Sequence, residues 1–250
     1  RQGAYEPFDL QVSRGQIQGH RNVTVFGFNP DVDTTQVSVW PLPSLITFPA
    51  SALQMTVSSS SANDASAGTG ARTIVVQGLD ANYNEVSETV TMNGQTAVTM
   101  TAALIRVNYA YVATAGSGNS AAGDIYIGTG TVTAGVPATV YDVIKFDYNN
   151  TTTGSYTIPA GYTGYVSQGL FSTGQAGGSN QVQGRLLSRG TNNIRMTAAI
   201  TTLNNGVANY VFEYPLAIPE KTTLEATAIG SSANNAVSSM FILVLVKEAP

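Results

Sequence analysis

Residues 184–215 read GRLLSRGTNNIRMTAAITTLNNGVANYVFEYP, and their reading decides the fold class. Two turn signals punctuate the stretch, one near Gly190 to Asn193 and one at Asn204-Asn205-Gly206. Asn and Gly tolerate the positive φ that tight hairpin turns demand. Between the turns lie runs of strand length, and Tyr210, Phe212 and Tyr214 alternate with other residues before Pro215. β-branched and aromatic residues at every second position suit a pleated, half-buried surface. The stretch predicts two hairpins end to end.

The same grammar extends in both directions. In NEVSETVTMNG (84–94), Val86, Glu88, Val90 and Met92 fall on one face and Ser87, Thr89 and Thr91 on the other, with a hairpin signal at Asn93-Gly94. In ALIRVNYAYV (103–112), Ile105, Val107, Tyr109 and Tyr111 form one alternating set, read as core-facing, as are Tyr210 and Tyr214. GDIYIGTG (123–130) is a short strand between glycines, and SYTIPAGYTGYVSQG (155–169) is two strands joined at Pro159-Ala160-Gly161. TTLEATAIG (222–230) and SSMFILVLVKE (238–248) read as the last two strands. The final one is apolar on both faces, which places it centrally in a sheet. Helical periodicity is nearly absent. The prediction is all-β: a jelly-roll-like antiparallel β-sandwich.

The first forty residues differ. Pro7, Gly15, Gly19 and Pro30 interrupt strand pattern there, so residues 1–40 are expected to form an extended arm that orders against another surface. Residues 41–250 then form the body, with two stacked sandwiches and a seam near 134–140 as the alternative. Three long loops, 58–71, 114–124 and 172–181, are expected as mobile surface excursions.

Composition narrows the function classes. Of 250 residues 43% are apolar and only 10% charged, so a core can be buried under a neutral polar surface. Net charge is −4 and no basic run occurs, which argues against direct nucleic-acid binding. The longest apolar run, Met240 to Val246, is strand-length, too short for a helical membrane span, and the N-terminus lacks a signal-peptide core. Cysteine is absent, and the single histidine, His20, leaves little for a transition metal.

Chemistry is weighed residue by residue. His20 with Asp31 or Asp33 and a serine can be written as a triad, but no G-x-S-x-G elbow presents a nucleophile. DANYNE (80–85) begins like a calcium loop and then fails, with Glu85 where glycine is required and Thr91 where a bidentate glutamate is required. It reads as a polar hairpin turn. Glu85, Glu88, Glu213 and Glu220 are glycosidase candidates only because acids are scarce. Glu88, on the face of Val86 and Val90, reads as a buried ion-pair partner of Arg72 or Arg106. GTGAR (68–72) lacks the lysine and the helix of a phosphate loop and reads as a turn into a strand. No catalytic, cofactor or metal residue is expected, and exposed aromatics leave open a carbohydrate-binding surface.

Several segments resemble small virion structural proteins of tailed, especially marine, bacteriophages. These are VSRGQIQGH (12–20), VFGFNPDVD (25–33) followed by VW, residues 51–94, IRVNYAYV (105–112), YTIPAGYTGYV (156–166) and IPEKTTL (218–224). GTGARTIVVQGLD and RGQIQGH are the most specific. The resemblance implies a noncatalytic component on the exterior of the phage particle, either a capsid decoration (cement) protein or a receptor- or glycan-binding knob or fibre. It implies assembly as a homo-oligomer, often a trimer, against the major capsid protein or other virion proteins, with a host surface glycan as a further partner. Within the arm, Arg14, Gly15, Gln16, Ile17, Gly19, His20, Arg21 and Phe26 are the expected capsid- or subunit-binding residues.

Overall fold

The computed structural model describes residues 6–174 and 181–248. The chain divides into two compact units. A split unit comprises Arg1–Val39 and Gly154–Pro250, and an inserted unit comprises the uninterrupted Trp40–Thr153. In chain order, α1 (Phe8–Ser13), β1 (His20–Val32) and β2 (Val37–Ser38) open the split unit. The inserted unit holds β3 (Leu53–Ser59), β4 (Ala71–Leu79), β5 (Glu85–Thr91), β6 (Val98–Leu104), β7 (Arg106–Ala115), β8 (Ile125–Thr133) and β9 (Val136–Ile144). The split unit resumes with β10 (Ser155–Thr157), β11 (Tyr162–Gly174), β12 (Val182–Arg189), β13 (Arg195–Leu203), β14 (Gly206–Ile218), β15 (Thr223–Gly230) and β16 (Asn235–Lys247).

In the split unit one sheet runs β1-β16-β11-β14 and the other β10-β15-β12-β13, with β2 also on β15. All these pairings are antiparallel. β2 and β10 are two halves of one strand position. Val37 and Ser38 pair with Ala228 and Thr227, while Ser155, Tyr156 and Thr157 pair with Glu225, Leu224 and Thr223. At the gap, the Val39 N–H donates to the Ala226 carbonyl and the Gly154 N–H to the Val39 carbonyl. The inserted unit therefore interrupts a single strand without breaking its line of hydrogen bonds. Both sheets feed the same apolar clusters. One holds Val25, Ile158, Val166, Leu224, Phe241 and Leu243, the other Val32, Val39, Phe171, Val182 and Val237. Each such side chain contributes about 1.5–3 kcal/mol on burial.

β1 is a strand despite its breakers, which corrects the extended arm expected over residues 1–40. Gly15 and Gly19, at φ +68° and +75°, turn the chain before the strand begins. Pro30 lacks an N–H, and the register slips by one residue between Asn29 and Val32, so a bulge takes it out of the ladder. Gly27 is required by close approach, since a Cβ there would lie 2.5 Å from the Val39 carbonyl oxygen. Val25, Gly27, Asn29 and Val32 face inward.

The inserted unit carries the sheets β6-β3-β8-β9 and β5-β4-β7 around one core of Met55, Val57, Ile74, Val76, Val90, Met100, Leu104, Ile125 and Ile127. Residues 134–140, the seam of the alternative two-sandwich reading, are the β8–β9 hairpin. Ala134 and Gly135 take positive φ between the paired Thr133 and Val136. The unit boundaries fall instead at 39/40 and 153/154.

β16 lies centrally between β1 and β11, and its burial alternates residue by residue. The turns at 93–94, 159–161 and 204–206 exist, yet each carries the chain from one sheet to another rather than closing a hairpin. Thus, among the described residues, β13 pairs only with β12 and β14 only with β11, so these strands do not form the second predicted hairpin. Around β7 the expected set splits: Ile105 is buried and Val107 packs against the core, but after the register shift opposite Gln77 and Gly78 it is Ala110 that is buried while Tyr109 is 40% exposed. Tyr210 and Tyr214 are also exposed rather than core-facing. The loop 172–181 lies mostly outside the described residues.

Candidate functional site

The expected binding segment surrounds the start of β1. The Pro7 carbonyl accepts the N–H groups of Leu10 and Gln11, which starts the six-residue α1. Asn22 of β1 ties the helix down by donating to the Asp9 carbonyl at 3.0 Å and Ser13 Oγ at 2.7 Å. Arg14 pairs with Glu6, and the Gln16 N–H donates to the Gln11 carbonyl. His20 meets Phe8 edge-on at 5.9 Å, with Nδ1 3.0 Å from the Gln18 carbonyl. The Arg21 guanidinium lies over the Tyr162 ring at 5.2 Å, and the Gly19 carbonyl accepts the Lys247 N–H.

Arg14, Gly15, Gln16, Ile17, Gly19, His20 and Arg21 are thus neighbours at one end of the sheet. Phe26 stands apart on the outward face of β1, roughly 20 Å further along at the rise of a strand. Sequence reading missed Phe8 and Leu10, each 47% exposed, which supply apolar surface beside Arg14. Alternation cannot find them, because a one-turn helix is too short for a period.

No triad forms around His20. Asp31 lies near the far end of β1 and Asp33 just past it, roughly 35 Å or more away along an extended chain. Several of the other acids are engaged in structure, while Glu85 and Glu213 are exposed on β5 and β14. Glu88 does not pair with Arg72 or Arg106; its two oxygens accept the N–H groups of Thr101 and Ala102, both at 2.8 Å. Arg106 donates to the carbonyls of Pro49 and Ile105 and packs over the rings of Phe48 and Tyr83. Asp80 accepts the N–H groups of Asn82 and Asn84, so DANYNE is a hairpin turn between β4 and β5. Glu220 accepts the Gly161 N–H at 2.6 Å, which lowers its pKa. Glu225 is buried, bonded to Arg189 at 3.0 Å and to Ser38 Oγ at 2.5 Å. Among the described residues no three metal-ligating side chains gather.

Two buried acids stand out. Asp64 is fully buried and accepts four donors: Ser59 Oγ at 2.6 Å and the N–H groups of Ala71 at 2.7 Å, Ala122 at 2.8 Å and Gly123 at 3.0 Å. The loops 58–71 and 114–124, expected to be mobile, are pinned together through this carboxylate. Asp142 accepts Thr153 Oγ1 at 2.6 Å and the Val143 N–H at 2.9 Å, and burial pushes its pKa up to about 7.

Exposed apolar side chains remain on β7 and on β13 and β14, besides Phe146 and Tyr148. On β7 the rings of Tyr109 and Tyr111 lie 5.8 Å apart at a 32° tilt. On β13 and β14, Met196, Ile200, Val207, Tyr210, Val211 and Tyr214 are all exposed.

No family model matches the chain, and no curated protein matches it. Among solved structures it is similar to VP2 of infectious bursal disease virus. With the crystal structure of the VP2 subviral particle, 91% of this chain and 70% of that one are covered, at 12% identity and a TM-score of 0.25. With the T13 particle of the same virus the figures are 92%, 72%, 12% and 0.22. At TM-scores this low the likeness carries no argument for fold or role.

Proposed function

We propose that this protein is a noncatalytic virion structural protein whose split unit is a jelly roll, and that it decorates the exterior of a phage capsid as a cement protein. The observation that carries the reading is the strand order. With β2 and β10 counted as one interrupted position, the split unit has eight positions in chain order, arranged 1-8-3-6 in one sheet and 2-7-4-5 in the other. That interleaving is the order of two Greek keys closed into a jelly roll, an architecture used by viral capsid proteins and lectins. Fold alone does not name a role. The sequence resemblance to phage virion proteins, and the use of Asp64 and Glu88 as hydrogen-bond acceptors for backbone and hydroxyl groups, point in the same direction.

A cement protein works by burying surface across seams between capsid subunits. Phe8, Leu10 and Arg14, held against β1 by Asn22, are the contacts we assign to that task. Deletion of residues 1–19 removes them and leaves β1 intact. Co-sedimentation with undecorated capsids tests the reading: the full chain binds and raises the temperature at which capsids open, and the truncated chain stays folded but unbound. Absence of binding by the full chain, or full binding by the truncated one, sinks it.

A second reading, glycan binding by a virion knob, is favoured by the exposed Tyr109 ring beside the half-buried Tyr111 ring. Aromatic faces stack on apolar sugar faces. Binding to a glycan array that is lost on Tyr109→Ala would support it.

A further inference from the structure

The open edge formed by β13 and β14 is where the molecule leaves most apolar surface uncovered. Both are edge strands, each hydrogen-bonded on one side only. Natural sheets blunt such edges with charge, proline, short strands or a covering element. This protein does so elsewhere. β1 carries Pro30 and the α1 helix, and β2 and β10 are two and three residues long. In the inserted unit Glu88 caps the N–H groups of β6. On β13 and β14 these devices are confined to the ends, Arg195 at the start of β13 and Glu213 and Pro215 in the second half of β14. Residues 196–212, MTAAITTLNNGVANYVF, hold no charge and no proline.

Ile194, Met196, Ile200, Val207, Tyr210, Val211 and Tyr214 are between 41% and 83% exposed. Seven of the fifteen large apolar side chains exposed among the described residues thus lie in this one stretch of chain, and such a concentration of exposed apolar surface marks an interaction site. Beneath them a cavity of about 60 Å³ runs in between Ile200, Tyr210 and Phe212 and the underlying Leu170, Leu186 and Phe241. β14 also bulges: Val166 pairs with Leu216 and Gln168 with Val211, so Phe212–Pro215 stand out opposite Ser167. Tyr214, at 83% exposure, projects from that bulge.

We infer that this face is covered by a second copy of the same chain. The concentration of apolar surface supports it, as above. Charge supports it too: the chain carries net −4, yet residues 196–212 hold no charge and Arg195 and Glu213 at the ends offset each other, so two copies meet there with little like-charge repulsion. An unpaired antiparallel edge is its own complement about a two-fold axis, which lets β14 of one copy pair with β14 of the next. The inference deepens the oligomer part of the reading above, but it does not depend on the capsid.

Sedimentation velocity of the full chain from about 1 to 100 µM tests it. The expected result is association in the wild type and in Phe146→Lys, an exposed site in the inserted unit, but not in Val207→Lys/Val211→Lys. Both valines are on the outward-facing side of β14, so circular dichroism and melting should be unchanged. Hydrogen exchange on the wild type provides a readout free of mutation: amides of 206–211 should slow as concentration rises. A wild type that stays monomeric throughout, or a double variant that associates like wild type, overturns the inference. So does a monomeric wild type whose double variant loses capsid co-sedimentation, since the face then belongs to the capsid. Loss of capsid binding on deletion of residues 1–19 with association intact would leave this inference standing and support the cement reading separately.

Discussion

The two units bury polar groups in different ways. The split unit is held by long ladders between distant parts of the chain: β1 pairs with β16 from His20↔Val246 onward, and three of its strands beside β1 reach thirteen residues. The inserted unit has strands of seven to ten residues and relies on carboxylates that collect backbone N–H groups, Asp64 across two loops and Glu88 across two sheets. A ladder spreads its stability over many bonds of about 1 kcal/mol each, while a buried carboxylate concentrates it in one residue. Single substitutions should therefore damage the inserted unit more selectively than the split one.

The largest effect should come from Asp64→Ala. It strands three N–H groups and a hydroxyl, and a loss of about 5 kcal/mol or more is expected in chemical denaturation. Hydrogen exchange should accelerate first in 59–71 and 121–124. If those amides stay as protected as those of β16, the carboxylate is not the tie that distinguishes this unit.

In the split unit the nearest equivalent is Glu225. Arg189→Met leaves that carboxylate buried with Ser38 but without its cation, at a cost of about 3–4 kcal/mol. Adding Glu225→Leu should recover much of the loss, because an apolar pair of similar volume is tolerated where a lone charge is not. A double variant no better than the single would mean that the polar pair, and not packing, holds β12 to β15.

Acid response sharpens the comparison, because Asp142 belongs to the inserted unit alone. Its pKa is raised from 3.8 to about 7 by burial, so the folded chain holds a proton there that the unfolded chain has released. Below about pH 4 both states are protonated and the stabilisation is fully present. It is lost as pH rises through about 7, by an amount on the order of 4 kcal/mol. Stability measured from pH 4 to pH 8 should fall, and Asp142→Asn should flatten that slope while leaving the slope from other groups.

Much of this was legible in the chain and some was not, for reasons visible in particular residues. The alternation of 84–92 and the apolar run of 240–246 report burial on a local period, and both became strands with the expected faces or position. The signals at 93–94, 159–161 and 204–206 report local φ, and all three turns exist. What a turn cannot encode is which sheet receives the next strand, since that depends on partners such as Val25 and Phe241, more than two hundred residues apart. The same distance hid β1: Pro30 and the glycines look like breakers until β16 supplies a ladder and a bulge absorbs the proline. Asp64 was hidden among small residues because its four donors come from three separate stretches of chain. At the expected binding segment, the cluster from Arg14 to Arg21 could be read from sequence as a group, but Phe8 and Leu10 could not.

The smallest effect tests the contrast between edges. Removing residues 1–19 deletes α1 and the acceptors that Asn22 uses, Asp9 and Ser13, while every β1–β16 pair from His20 onward survives. Two partly exposed hydrogen bonds amount to about 1 kcal/mol, so melting should shift by only a few degrees. The larger change should be in association. Without α1, the start of β1 around Asn22 loses its cover and joins Phe26, already 47% exposed, in one longer open edge. Sedimentation should then show species larger than the wild-type oligomer, and Phe26→Lys in the truncated chain should suppress them, because an edge lysine opposes strand addition. If truncation leaves association unchanged, α1 is not what blunts β1, and the difference between the covered and the open edge must lie in Pro30 and the bulge instead.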